Sequence, residues 1–151
     1  MNREKLYIIL LIFLLFLNCV QNQNHEILEY MQNIHNIKNI EKGLFVFMPT
    51  NACSGCYDSI MEELNSNTLR ANTRVVLMGD SNITLAGRAK KFEQQDRILF
   101  DISNSLSNNI TDYRHPFIFV IVNNEIEVYI DVIPEKLEYA KEIIRKYNSE
   151  L

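Results

Sequence analysis

Apolar positions follow different spacings along the chain, and each spacing predicts a different element. From His25 to Glu41, Ile27, Met31, Ile34, Ile37 and Ile40 recur at helical intervals, predicting an amphipathic lead-in helix closed by Lys42-Gly43. Leu44 to Met48 is an unbroken apolar run of strand length. Beyond it Tyr57, Ile60, Met61 and Leu64 form one face of a helix reaching about Asn67. Thr73 to Met78 predicts a second short strand, and Gly79-Asp80-Ser81-Asn82 turns into a helix expected to run through Gln94. Arg97 to Phe100 is a brief strand. A Ser/Asn-rich passage follows, with Ile102, Leu106 and Ile110 at helix-like spacing. Phe117 to Val122 is apolar without alternation, as expected of a strand covered on both faces. Asn123-Asn124 supplies a two-residue hairpin turn, since Asn tolerates positive φ. In the next strand Ile126, Val128 and Ile130 alternate with Glu125, Glu127, Tyr129 and Asp131, which predicts one wet face at a sheet edge. Pro134 opens a closing helix with Leu137, Ala140, Ile144 and Tyr147 inward.

The first residues follow another rule. Arg3 and Lys5 precede twelve consecutive apolar residues, Leu6 to Leu17. This is the charged and apolar pattern of an export signal, too short for a membrane span of about 20 residues. Cys19 stands directly after it, where a bacterial lipoprotein signal carries its lipidated cysteine; an incidental thiol in the signal is the plainer reading. The expected division is residues 1–19 as signal or lipoprotein anchor, 20–42 as tether and lead-in helix, and 43–151 as one domain. The location expected is outside the cytoplasm, in the cell envelope or periplasm, with a lipid anchor to a membrane.

Composition narrows the class. The chain has 151 residues with 47% hydrophobic and 10% aromatic content, enough to build a core without a disulfide scaffold, for which three cysteines are too few. The formal net charge is −4 and no Lys/Arg stripe occurs, which argues against a nucleic-acid surface. Asn is abundant and scattered, a feature that reads as compositional bias.

Cys53-Ser54-Gly55-Cys56 carries the chemistry. The pair falls between an apolar strand and the start of a helix. There the dipole and free amides stabilise a thiolate on Cys53, and one turn brings Cys56 within reach. Two inert thiols or a static disulfide is the structural alternative. Thr50 or Asn51 fits a helix N-cap. No buried acid can be named as proton acceptor; Asp80 and Asp101 are loop candidates.

Together with Pro116, some sixty residues beyond the cysteines, and the hairpin after it, this order resembles the thioredoxin-like superfamily. The exported N-terminus makes it most similar to the TlpA/ResA-type thiol–disulfide oxidoreductases. The resemblance covers roughly residues 43 to 150. It implies an α/β, three-layer α/β/α sandwich with a mixed sheet, Cys53 as attacking thiol and Cys56 as resolving thiol. It also implies Pro116 as a cis proline presenting the backbone of His115 to a substrate strand. The sequence departs from the family in Ala52, in the Ser54-Gly55 spacer, and in Phe47, where thioredoxins carry a buried acid.

The expected activity is disulfide exchange with other extracytoplasmic proteins. It needs no cofactor beyond the Cys53–Cys56 disulfide and no metal, and it draws on a membrane electron donor. Two other readings stand beside it: a non-catalytic partner-binding lipoprotein, and a copper-handling protein using Cys53, Cys56 and His115. Peroxide reduction is a weaker fit because Pro49 is misplaced for that motif. His25 and His35 are expected in solvent.

Overall fold

The computed structural model describes residues 25–31, 33, 36–37, 39–102, 106 and 114–150. The expected export segment, Cys19 and His35 lie outside them, as does the Ser/Asn-rich passage apart from Ile102 and Leu106. Helix α1 comprises residues 25–31 and 33. The sequence then gives β1 (Lys42–Pro49), α2 (Ser54–Asn65), β2 (Thr73–Met78), α3 (Asn82–Ala89), β3 (Ile98–Asp101), β4 (Phe117–Val122), β5 (Glu125–Asp131) and α4 (Leu137–Glu150).

The five strands form one sheet in the order β3-β2-β1-β4-β5. β1, β2 and β3 are parallel, while β4 runs antiparallel to β1 and β5 antiparallel to β4. The steps β1 to β2 and β2 to β3 move the same way across the sheet, so right-handed crossovers place both linking helices on one face. Leu64 of α2, Leu85 of α3 and Ile144 of α4 accordingly pack with Leu44, Val46 and Met48 in one core layer. Ile27 and Met31 of α1 cover the other face with Phe45, Phe47, Phe117 and Phe119. The fold is the thioredoxin-like α/β sandwich with a mixed sheet. Among the described residues no helix is long and apolar enough to cross a membrane.

Three elements differ from their sequence pattern. α1 stops well short of Glu41: Asn36 and Asn39 take φ of 51° and 54°, and the Ile37 N–H turns back to the Met31 carbonyl at 3.2 Å. The Ile40 N–H is taken by Asn124 Oδ1 at 2.8 Å, so the hairpin tip satisfies backbone that a longer helix would have used. α3 ends at Ala89 because i→i−3 bonds tighten its last turn (Lys91 to Arg88, Phe92 to Ala89). Asn65 at the end of α2 also binds the Lys91 carbonyl and the Glu93 N–H. In β5 the register slips opposite Val120/Ile121 and leaves Glu127 unmatched. That bulge turns Ile126 to the α1 face while Val128 packs with the α2 layer, so the expected single apolar face is divided. The Asn123-Asn124 turn has φ of 51° and 61°, as a type I′ hairpin requires.

Polar bonds fasten α4 to the domain. Arg145 donates to both oxygens of the buried Glu63 carboxylate, at 2.9 and 2.6 Å, joining α4 to α2. Buried Asn148 accepts from the Arg70 N–H and the Thr73 hydroxyl, and donates to the Thr68 carbonyl at 2.9 Å. Asn148→Ala leaves these groups without partners and is expected to cost about 1–3 kcal/mol, read from the midpoint of urea denaturation.

Candidate functional site

Cys53 is the N-cap residue of α2, with φ −47° and ψ 118°, and so replaces Thr50 and Asn51 in the role expected of them. Those two residues belong instead to the turn that delivers the chain from β1. The Thr50 N–H continues the sheet to the Met78 carbonyl at 2.8 Å, and the Ala52 N–H bonds to the Pro49 carbonyl at 3.1 Å.

The two cysteines are free thiols in contrasting surroundings: Cys53 is exposed and Cys56 is 3% exposed. The Cys56 amide acts first on the Cys53 sulfur, followed by the Cys56 thiol, and both hold Cys53 below the ordinary cysteine range. Cys53 Sγ closes no standard cap bond, so its stabilisation comes from lying in the field of the first-turn N–H groups. Cys56 faces the core layer beneath α2. Burial, then its hydrogen bond to Cys53, pushes it up to about 11. Cys53 is therefore the thiol that ionises first, and Cys56 the one held protonated behind it.

The 114–116 segment lies against this pair. The Cys53 N–H donates to the Arg114 carbonyl at 2.9 Å, and the Val132 N–H donates to the Pro116 carbonyl at 2.8 Å. His115 is half-buried, with Nδ1 enclosed and lacking a hydrogen-bond partner. One expectation is corrected: no cis peptide occurs among the described residues, so the His115–Pro116 bond is trans. Trans is the lower-energy form of an X-Pro bond, and the two backbone bonds flanking the segment are made in that geometry. Nor do Cys53, Cys56 and His115 converge as ligands; no group of three or more His, Cys, Asp or Glu among the described residues is placed to hold a metal. The copper-handling reading has no geometric support.

Several neighbours escaped the sequence pattern. Glu135, in the 3-10 turn Pro134–Lys136, is the carboxylate whose charge acts on Cys56, raising it further. Asp101 is buried but bonds the Tyr30 hydroxyl at 3.0 Å on the α1 side of the sheet, away from the cysteines. Phe47 likewise packs in the α1-side layer, so an acid at that position would not face Cys56. Arg88 of α3 stacks on the Tyr57 ring at 4.6 Å and reaches the Thr50 carbonyl at 3.4 Å, clamping the turn before Cys53 from the side. An Ile-Pro-Glu start to a closing helix, or an Arg six residues past a turn, carries no local signal of such proximity.

Gly79 supports the same turn. A Cβ there would meet Thr50 Oγ1 at 2.7 Å and Leu85 Cδ2 at 3.2 Å. Gly79→Ala is expected to cost about 1–3 kcal/mol, as overpacking does. Displacement of Thr50 should also slow Cys53 alkylation, measurable with iodoacetamide at pH 7.

Comparison with known proteins adds little at the level of sequence: no family model matches the chain, and no curated protein does. Among solved structures the chain is similar to one described as a candidate thiol:disulfide interchange protein, DsbE, from Chlorobium tepidum. That likeness has 17% identity and a TM-score of 0.44, and it covers 71% of this chain and 79% of the other.

Proposed function

We propose that the protein is a thiol–disulfide oxidoreductase of the TlpA/ResA type. The observation that carries this reading is the asymmetry of the pair: an exposed Cys53 held below the usual range and an enclosed Cys56 held well above it. The Cys53 thiolate attacks one sulfur of a substrate disulfide, forming a mixed disulfide and releasing the other sulfur as a thiolate. Cys56 gives up its proton and attacks Cys53 Sγ, which frees the second substrate thiol. Two electrons pass to the substrate and the Cys53–Cys56 disulfide remains. His115 and Pro116, beside the nucleophile through Arg114, offer backbone for an extended substrate segment.

The clients in this reading are disulfide-bearing proteins of the cell envelope. The chain is held at a membrane through lipid on Cys19 and restored to the dithiol by a membrane electron donor. Mixing the reduced protein with insulin tests the activity. Insulin chains should separate, and the protein should lose two hydrogens by mass with Cys53 and Cys56 joined in one peptide pair. Unchanged insulin and a retained dithiol would reject the proposal.

A further inference from the structure

The end of the sheet away from the cysteines holds a cavity of about 370 Å³ between Ile37 with residues 39–43 and the start of β2. The part of β1 beyond its Phe45 lining, four residues to Pro49, separates it from the Cys53 turn by roughly 13 Å at a strand rise of about 3.3 Å. Its volume falls within the range of small-ligand pockets. One wall is apolar, built from Ile37, Ile40 and Phe45. Gly43 lets that wall close, because a Cβ there would come within 2.7 Å of the Phe45 ring and 3.1 Å of Ile40.

Beside that wall, where Arg74 is the register partner of Phe45, the lining is cationic. Arg74 lines the cavity and spends only Nη1 on protein, donating to the carbonyls of Ala71 and Thr73. Arg97 Nη1 approaches the same Ala71 carbonyl at 3.5 Å, so two guanidinium groups share one acceptor. Arg97 is paired with Asp96 at 3.2 Å, whereas no carboxylate contacts Arg74 among the described residues. Burial first, and then the charge of Arg97, disfavour the Arg74 cation, against which the Asp96 carboxylate acts more weakly in its favour. The unused Nε and Nη2 edge is the fork that a carboxylate fills with two parallel bonds.

We propose that this cavity binds a small aliphatic monocarboxylate, its carboxylate on the free edge of Arg74 and its hydrocarbon against Ile37, Ile40 and Phe45. Glu41 in the lining and Asp96 beside Arg97 select against a dianion such as phosphate, which the apolar wall also cannot hydrate. The site is independent of the thiol chemistry at the other end of the sheet.

Calorimetric titration of the full-length protein with hexanoate, hexanamide and inorganic phosphate tests the assignment. Hexanoate should bind saturably at one site, with the neutral amide and phosphate each at least tenfold weaker. Arg74→Gln should weaken hexanoate at least tenfold while iodoacetamide still alkylates Cys53 at the wild-type rate. The three-ligand comparison on the unaltered protein decides the matter even if that variant folds poorly. Absence of saturable hexanoate binding overturns the proposal. So does equal binding of hexanamide, which would leave only an apolar cavity, or equal binding of phosphate, which would leave only a patch of positive charge.

Discussion

Cys53→Ser is expected to lose disulfide exchange altogether, whereas Cys56→Ser should attack once and then stall as a mixed disulfide. The difference follows from which sulfur is ionised and reachable. Cys53 titrates below the ordinary range of about 8.5 because the first-turn amides favour its charged form. Iodoacetamide should therefore modify it readily at pH 7, with a rate that rises through its depressed pKa and levels off before a free cysteine would. Cys56, pushed up to about 11 and 3% exposed, should remain unmodified until strongly alkaline pH in the Cys53→Ser variant. Stability carries the same signature with its own sign. The unfolded chain loses the Cys56 proton near pH 8.5, and the folded chain keeps it to about 11. The stability that Cys56 contributes is thus present below the unfolded value and is lost as pH climbs between the two. A Cys56 that alkylates as fast as Cys53 at pH 7 would remove the attacking and resolving roles together.

The part of this site that was legible in the sequence is the part governed by local order. An apolar run before a CxxC and a helical stripe after it dictate that Cys53 sits at a helix start with Cys56 one turn on. β2 and β4 follow just as directly, because their apolar runs are bounded by turn residues on both sides. What escaped depends on partners distant along the chain. Asn36 and Asn39, which read as compositional bias, take positive φ and end the α1 region. Asn124 then binds Ile40 across 84 positions. Glu135 reaches Cys56, and Arg88 reaches Thr50 and Tyr57, only once the crossovers have set α3 and the last turn around α2. The bulge at Glu127 is equally silent, since its sequence alternates perfectly while its register does not. The trans His115–Pro116 bond belongs to this group as well: Val132 just past β5 and Cys53 at the cap of α2, rather than the dipeptide, supply the backbone partners of the 114–116 segment.

Phe47→Ala should be among the most destabilising single changes in the domain, about 3–5 kcal/mol by urea denaturation. Phe47 is completely buried on β1, stacked on Phe117 at 4.7 Å and edge-on to Phe119 at 5.4 Å, with Tyr30 of α1 at 6.0 Å. It is thus the hub through which α1 and β4 are held to the central strand. Phe47→Leu keeps most of the volume and should cost about 1.5 kcal/mol or less, separating cavity formation from loss of the aromatic stack. Phe47→Asp sharpens the point. If the missing acid of this site belonged at position 47, aspartate there would aid proton transfer from Cys56. Because the side chain enters the layer with Phe117, away from Cys56, aspartate should instead bury an unpaired charge and unfold the domain. The Cys53 field arises from the first turn of α2, so any folded fraction of Phe47→Ala should keep the depressed Cys53 titration. A stable Phe47→Asp protein with faster resolution by Cys56 would reverse this assignment of faces.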